Sequence, residues 1–260
     1  MLVSVIIPSF NRKEFLRAAV ASVLSQSFQD FELIVVEDGT EPDQRFYLED
    51  PRVKIYYQLH RGVSAARNFG VSVSTGKYIA FLDSDDLWMK DKLEKQLHYI
   101  YKNPEFKIIH TNEKWLRNGK HLNPMKKHQK YGGWIFEKCL PLCIISCSSI
   151  LMERALFLEL GGFDESLPAC EDYDLWLRMT LKYPIAYLDQ KLVVKRGGHL
   201  DQLSKKYWGM DRFRVQALEK LLKMDLDEGK RVAVMEELER KKAILVAGAR
   251  KRVNHLIIHP

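Results

Sequence analysis

The chain has 260 residues, 46% hydrophobic and 29% charged, with a net charge of +7. Those values fit a folded protein with a substantial core, and no run approaches the roughly 18–20 apolar residues needed to span a bilayer. The surplus cations lie in Lys114–Lys130 and from Lys230 onward, whereas acids group around 37–50, 83–86 and 164–174. Acidic groups in a basic chain suit a phosphorylated ligand held through a metal; no nucleic-acid motif or stacking platform accompanies them, so a nucleic-acid partner is not expected.

MLVSVIIPSF lacks a basic leader, so it reads as a first strand, Val3–Ile7, stopped by Pro8, and not as a signal peptide. Asn11 is placed to cap a helix from Arg12 to about Gln26, with Leu16, Val20, Val23 and Leu24 at helical spacing. Strands follow at Phe31–Glu37 and Val53–Tyr57, then a helix of small and apolar residues over Gly62–Ser74. Tyr78–Leu82 is an apolar run suited to a strand covered on both faces, and DLWMKDKLEKQLHYIY reads as an amphipathic helix. This strand–helix alternation predicts an α/β fold with a mostly parallel sheet. Further on, Lys107–Asn112 reads as a strand, Asn118-Gly119 as a hairpin turn, and Ser146–Met152 as a strand before a short helix ending at Gly161-Gly162. EDYDLWLRMTLKY is helical and AYLDQKLVVKRGG extended, and beyond Ser204 the chain turns helical and charged. A catalytic body over 1–203 and a helical extension over 204–260 are the expected divisions. Cys139, Cys143, Cys147 and Cys170 lack zinc-site spacing and read as buried free thiols in a reducing cytoplasm.

Ligands of open α/β sheets bind beyond the carboxyl ends of the strands. Here those ends carry Pro8-Ser9-Phe10, Asp38-Gly39 and Asp83-Ser84-Asp85. Phe10 can stack on a planar ring, and Asp38 can accept from a base or ribose, although Asp38-Gly39 also fits a plain turn. Asp83 and Asp85, two apart on an extended chain, point to one side and offer hard oxygen ligands suited to Mg²⁺ or Mn²⁺; capping of a following helix is the alternative, and Asp86 is assigned to it. Arg67 sits among Ala65, Ala66, Asn68 and Gly70, too small a neighbourhood for a plain exposed face. Glu171 and Asp172 either complement a helix dipole or supply a general base. His199, on a glycine-flanked loop, can complete a metal shell begun by Asp85. No G-x-G-x-x-G or P-loop sequence is present to hold phosphates.

VSVIIPSFNR, ELIVVEDGT, GVSAARNFG, YIAFLDSDD, GGFDE, EDYDLWLR and GGHLDQLS, in that order, resemble the family 2 inverting glycosyltransferases of GT-A fold over roughly residues 3–204. The resemblance implies a nucleotide-diphosphate sugar donor, with UDP as the expected nucleotide, and a saccharide or lipid-linked saccharide acceptor. It implies that Pro8 and Phe10 border the base, that Asp38 binds base or ribose, and that Arg67 belongs to the nucleotide pocket. Asp83 then faces the ribose, Asp85 ligates the metal, Asp172 is the base with Glu171 as second choice, and His199 approaches the metal. Two departures stand out: Phe10 where the family often has Tyr, and Glu37 where it often has Asp.

A sugar-nucleotide-forming nucleotidyltransferase would need a glycine-rich loop after the first strand, which PSFNRKEF lacks. A non-catalytic nucleotide-sugar-binding module would have little use for Asp38, Asp85, Asp172 and His199 together. The tail from Lys230 carries eight Lys/Arg against three Glu, which fits either peripheral contact with an anionic membrane or self-association.

Overall fold

A computed structural model describes residues 1–199 and 206–258. Nine strands form one mixed sheet: β1 (Val3–Ser9), β2 (Phe31–Asp38), β3 (Val53–Gln58), β4 (Tyr78–Phe81), β5 (Leu87–Trp88), β6 (Ile108–Arg117), β7 (Lys120–Leu122), β8 (Leu151–Glu153) and β9 (Ala186–Gly197). Their order is β3-β2-β1-β4-β8-β6-β9-β5, with β7 on β6. The first four strands are mutually parallel, β8 runs antiparallel to β4 and β6, and β6 pairs in parallel with β9. The helices are α1 (Lys13–Leu24), α2 (Val63–Ser72), α3 (Lys92–Lys102), α4 (Phe136–Cys139), α5 (Arg154–Glu159), α6 (Glu171–Lys182), α7 (Asp211–Leu221) and α8 (Glu228–Ile258).

β1, β2 and β4 are buried on both faces because successive side chains enter different clusters. Val5, Ile7, Leu33, Ala80 and Leu82 pack with Leu16 and Val20 of α1 and Leu93 and Leu97 of α3. Ile6, Ile79 and Phe81 face the other way, toward Phe157, Phe163, Tyr173 and Trp176. The same second cluster takes in Phe213, Leu218 and Leu221 of α7 and Val234 and Leu238 of α8, so the C-terminal helices share their core with the body. The expected division at residue 204 lies outside the described residues.

Several local expectations change. Pro8 does not end β1, which continues to Ser9; β4 pairs only as far as Ile6, so the β4 side at Pro8 needs no ladder donor. Asn11 does not cap α1. Its φ is 50°, and its Oδ1 accepts the Glu41 amide at 2.9 Å, tying the loop after β1 to the loop after β2. The segment after Asp86 is not helical at once: Leu87–Trp88 pairs with β9, and α3 begins only at Lys92. Asp86 therefore caps no helix. Residues 147–149 form a 3-10 turn, which shortens the predicted strand to β8. The Asn118-Gly119 hairpin forms as expected, both residues having positive φ (48° and 75°), and β6 runs five residues beyond its predicted end to meet it. All four cysteines are free thiols.

Candidate active site

The carboxyl ends of β2, β1 and β4 lie side by side, bringing Asp38, Ser9-Phe10 and the segment after Phe81 to one edge of the sheet. At the β1–β2 end, Phe10 is 45% exposed and stacks on His60, with ring centroids 4.5 Å apart. Asp38 is buried, and its carboxylate accepts from Gln58 Nε2 (2.7 Å) and from the backbone amides of Arg61 and Gly62 (both 2.8 Å). His60 Nδ1 lies 2.9 Å from Asp38 Oδ2, the oxygen that also accepts the Gly62 amide. Asp38 thus shapes the turn into α2 and holds His60 against Phe10. Glu37 points away from this edge and accepts the Phe46 amide at 2.7 Å. Pro8 is buried within β1 behind these groups.

At the β4 end, ligand oxygens of Asp83, Asp85 and Asp86 lie within 4.8 Å of one another. Burial raises the pKa of Asp85, and Asp83 adds to the effect, while Arg12 and His199 oppose it. Asp86 is pushed up further by burial and by Asp85. Three crowded carboxyls with depleted hydration are the donor set that a hard divalent cation relieves, so the residues fit such an ion. Asp86 is 1% exposed; it accepts from Ser148 Oγ (2.7 Å) and from the Arg196 amide (3.0 Å), binding the 3-10 turn and β9 to the site. Asp85 and Asp83 are the accessible members. Asp85 Oδ2 pairs with Arg12 Nη1 at 2.9 Å.

Arg67 joins the two halves of the site. From α2 it donates to Asp83 Oδ1 and to Glu171 Oε1, each at 2.7 Å, while only 4% exposed. Its guanidinium also lies 5.1 Å from the Phe163 ring centre. Burial works against its charge, but Asp83, Glu171 and neighbouring groups hold its pKa well above the usual arginine value. Glu171 is raised, because burial outweighs the Arg67 pairing. The adjacent Asp172 is less buried, and among the described residues it forms no ion pair: Oδ1 accepts the Tyr173 amide at 2.7 Å, and Cys143 Sγ donates to Oδ2 at 3.3 Å. Burial, with Asp172 next, pushes the Cys143 thiol well up, so it stays protonated as a donor. Among the described residues, Ser9 Oγ, Ser64 Oγ and Arg67 Nε are buried without a hydrogen-bond partner.

His199 packs edge-on against Phe15, ring centroids 4.4 Å apart, and is among the groups that oppose the rise at Asp85. Of the GGHLDQLS loop, Leu200 to Ser204 fall outside the described residues. Behind the acids, Lys195 of β9 is held strongly cationic: burial opposes the charge, but Glu113, Asp86, Asp83 and Asp172 together overcome it. Glu113 follows register shifts between β6 and β9 at Asn112 that interrupt the regular alternation, and it pairs with Lys130 at 3.3 Å.

Thus Asp83, Asp85, Arg67, Glu171 and Asp172 converge, with Phe10 and Asp38 along the same edge. Arg12, His60, Cys143, Ser148 and Lys195 were not foreseen. Arg12, read as the start of a helix, stands two residues after the Pro8-Ser9-Phe10 strand end; the others reach the site by long-range pairing.

Residues 4–161 match the family model of glycosyl transferase family 2. A protein of Rickettsia bellii named as an uncharacterized glycosyltransferase is 35% identical over 195 residues, 73% of this chain but 28% of its own length, so the chain spans under a third of that relative. An Escherichia coli protein, the UDP-Glc:alpha-D-GlcNAc-diphosphoundecaprenol beta-1,3-glucosyltransferase WfgD, is 33% identical over 180 residues, 68% of each chain. Among solved structures, Staphylococcus aureus TarS in complex with UDP-GlcNAc superposes with a TM-score of 0.74 at 19% identity, covering 93% of this chain and 72% of that one.

Proposed function

Because this chain belongs to glycosyl transferase family 2, we propose that it moves a sugar from a nucleotide-diphosphate donor, a UDP-sugar, to a hydroxyl of a saccharide or lipid-linked saccharide acceptor. The observation that carries this reading is the Asp83–Arg67–Glu171 bridge, which sets a metal-compatible acidic cluster against the accessible carboxylate of Asp172. The names of two E. coli relatives, WfgD and WfaP, specify UDP-glucose and a diphosphoundecaprenol-linked acceptor, and TarS has been solved with UDP-GlcNAc.

In this reading the base stacks beside Phe10 and His60, Pro8 backs it, and Asp38 orients the turn that receives it, while Asp83 and Arg67 face the ribose and nucleotide. Asp85, with Asp83 and His199 beside it, would hold Mn²⁺ or Mg²⁺, whose charge supports departure of the diphosphate. Asp172 accepts the proton of the acceptor hydroxyl as that oxygen attacks the anomeric carbon from the face opposite the diphosphate, so a single displacement inverts the configuration. Glu171 is the weaker candidate for base because Arg67 already occupies it. A cytoplasmic setting, where nucleotide sugars are made, goes with the free thiols; no described helix is long and apolar enough to cross a membrane.

A thermal-shift screen of nucleotide sugars with Mn²⁺, followed by product analysis, tests the proposal. Selective stabilisation by one UDP-sugar, release of UDP and an inverted anomeric centre are expected. Pyrophosphate formation from a sugar phosphate and a nucleoside triphosphate would instead identify a nucleotidyltransferase, and nucleotide-sugar binding without turnover a non-catalytic module.

A further inference from the structure

The hairpin of β6 and β7 and the segment that follows form a surface unlike any other described part of the chain. From Lys114 to Trp134 there are six Lys/Arg and no Asp or Glu. Lys130 is the one turned inward, onto Glu113. Lys114, Arg117, Lys120, Lys126 and Lys127 are exposed, and none pairs with a described carboxylate. Apolar side chains stand out among them: Leu122 is 40% and Met125 61% exposed, and His128 folds the segment back onto Trp115, ring centroids 5.0 Å apart. Unpaired cations interspersed with projecting apolar groups match the interface of an anionic bilayer, which takes the charges at its headgroups and the apolar tips just beneath.

The tail, which also carries excess positive charge, is differently arranged. Lys230 pairs with Asp227, Arg240 with Glu237, Lys241 with Asp211 and Glu237, and Lys242 with Glu219. Much of the basic character of α8 is therefore neutralised within the fold, whereas the hairpin's is not.

The hairpin is also joined to the site. The Asn118 amide donates to the Gly197 carbonyl at 3.0 Å, and β6 stays in register with β9 as far as Arg117 opposite Gly197. A Cβ on Gly198 would fall 2.0 Å from Asn118 Oδ1, so the hairpin tip lies hard against the backbone that leads to His199. Lys195, among the site carboxylates, lies 6.0 Å from the ring centre of Trp115 at the hairpin base.

We propose that the hairpin surface of residues 114–128 docks this protein onto an anionic phospholipid bilayer, holding the loop of His199 and the mouth of the active site toward a membrane-borne acceptor. Docking itself is independent of which sugar is transferred; its use at the site rests on the lipid-linked acceptor proposed above.

The test is co-sedimentation of the full chain with vesicles of phosphatidylcholine, with and without phosphatidylglycerol, alongside donor binding and donor hydrolysis. Wild type is expected to bind the anionic vesicles, less so as salt rises. The variant Lys120→Glu/Lys126→Glu/Lys127→Glu should lose roughly a hundredfold in vesicle affinity, from about fivefold per cation, while donor binding and hydrolysis stay as in wild type. Leu122→Ser/Met125→Ser should weaken binding and steepen its salt dependence. Failure of wild type to bind anionic vesicles overturns the proposal. So does undiminished binding by the triple variant, loss of binding on Arg250→Glu/Lys251→Glu/Arg252→Glu alone, or tighter binding to duplex DNA than to vesicles at equal salt. Loss of donor turnover in wild type would count against the transferase reading and leave the vesicle result to stand by itself.

Discussion

Glu171 and Asp172 are adjacent, yet their surroundings divide their roles. Glu171 is buried against Arg67, whereas Asp172 is bonded only by the neighbouring amide and a thiol. Asp172→Asn should lower transfer by about 10²- to 10⁴-fold with unchanged donor binding, read as kcat against a thermal shift with donor; near-wild-type transfer would remove Asp172 from the base role. Arg67→Met leaves Asp83 and Glu171 unpaired in a poorly hydrated site, so unfolding in denaturant should show a loss of about 3–5 kcal/mol. Adding Glu171→Leu to that variant should recover part of the loss, because one of the two stranded charges is gone. Cys143 is subtler, since its single S–H is shared between Asp172 and the Ile145 carbonyl at 3.2 Å. Cys143→Ser should transfer sugar nearly as well as wild type, and Cys143→Val several-fold more slowly.

At the scale of elements, α2 approaches the sheet closely because Gly70 has no side chain. A Cβ there would come within 2.5 Å of Ile6 Cγ2 and 3.4 Å of Val36. The closeness has a functional consequence, since α2 carries Arg67 one turn earlier and any outward shift moves the guanidinium away from Asp83. Gly70→Ala should cost about 1–3 kcal/mol from overpacking, seen in the denaturation midpoint, and should weaken donor-induced stabilisation in parallel. α3 makes a different point. Its Lys92 and Gln96 are polar yet fully buried. Gln96 Nε2 serves the Ser149 carbonyl at 2.9 Å, and Lys92 Nζ donates to Gln96 Oε1 at 2.7 Å and lies 3.9 Å from the Trp88 ring centre. These polar residues face inward because the 3-10 turn after Ser146 leaves carbonyls that a strand partner would otherwise satisfy.

For the molecule as a whole, buried titrating groups tie stability to pH. His110 on β6 is fully buried; burial, with Lys130 beside it, lowers its pKa to about 3, against the Tyr131 carbonyl and Glu113, which favour the charged form. An unfolded imidazole takes its proton below about 6.5. Between those values the unfolded chain binds the extra proton, so stability falls as pH falls, by about 1.4 kcal/mol per unit at this group. Glu113 reinforces the trend lower down: burial would raise it, but Lys130 and Lys195 hold it near 2, so its contribution is lost as pH drops below the unfolded carboxylate range. The raised carboxyls of Asp85, Asp86 and Glu171 work in the opposite sense, so the His110 contribution is read as a difference: from pH 7 to pH 5 the unfolding temperature of wild type should fall relative to that of His110→Gln. The C-terminal helices pack into the same core, with Phe213, Leu218, Val234 and Leu238 in the cluster that holds Tyr173 and Trp176.

The alternation of apolar strands with helices, and the acids at the ends of those strands, were determined by the sequence itself, because period and polarity are local properties of the chain. Asp38, Asp83 and Asp85 could be assigned to one crevice for that reason: parallel strands deliver their carboxyl ends to one edge. Asp86 is the instructive exception, since its neighbours suggest a cap while its partners, Ser148 and the Arg196 amide, stand 62 and 110 residues away. Only the tertiary structure could show that Arg67 links the acidic cluster to Glu171, that Cys143 reaches Asp172, and that Lys195 stands behind the carboxylates. Each depends on which strands become neighbours, and that order is settled by burying all the apolar faces at once.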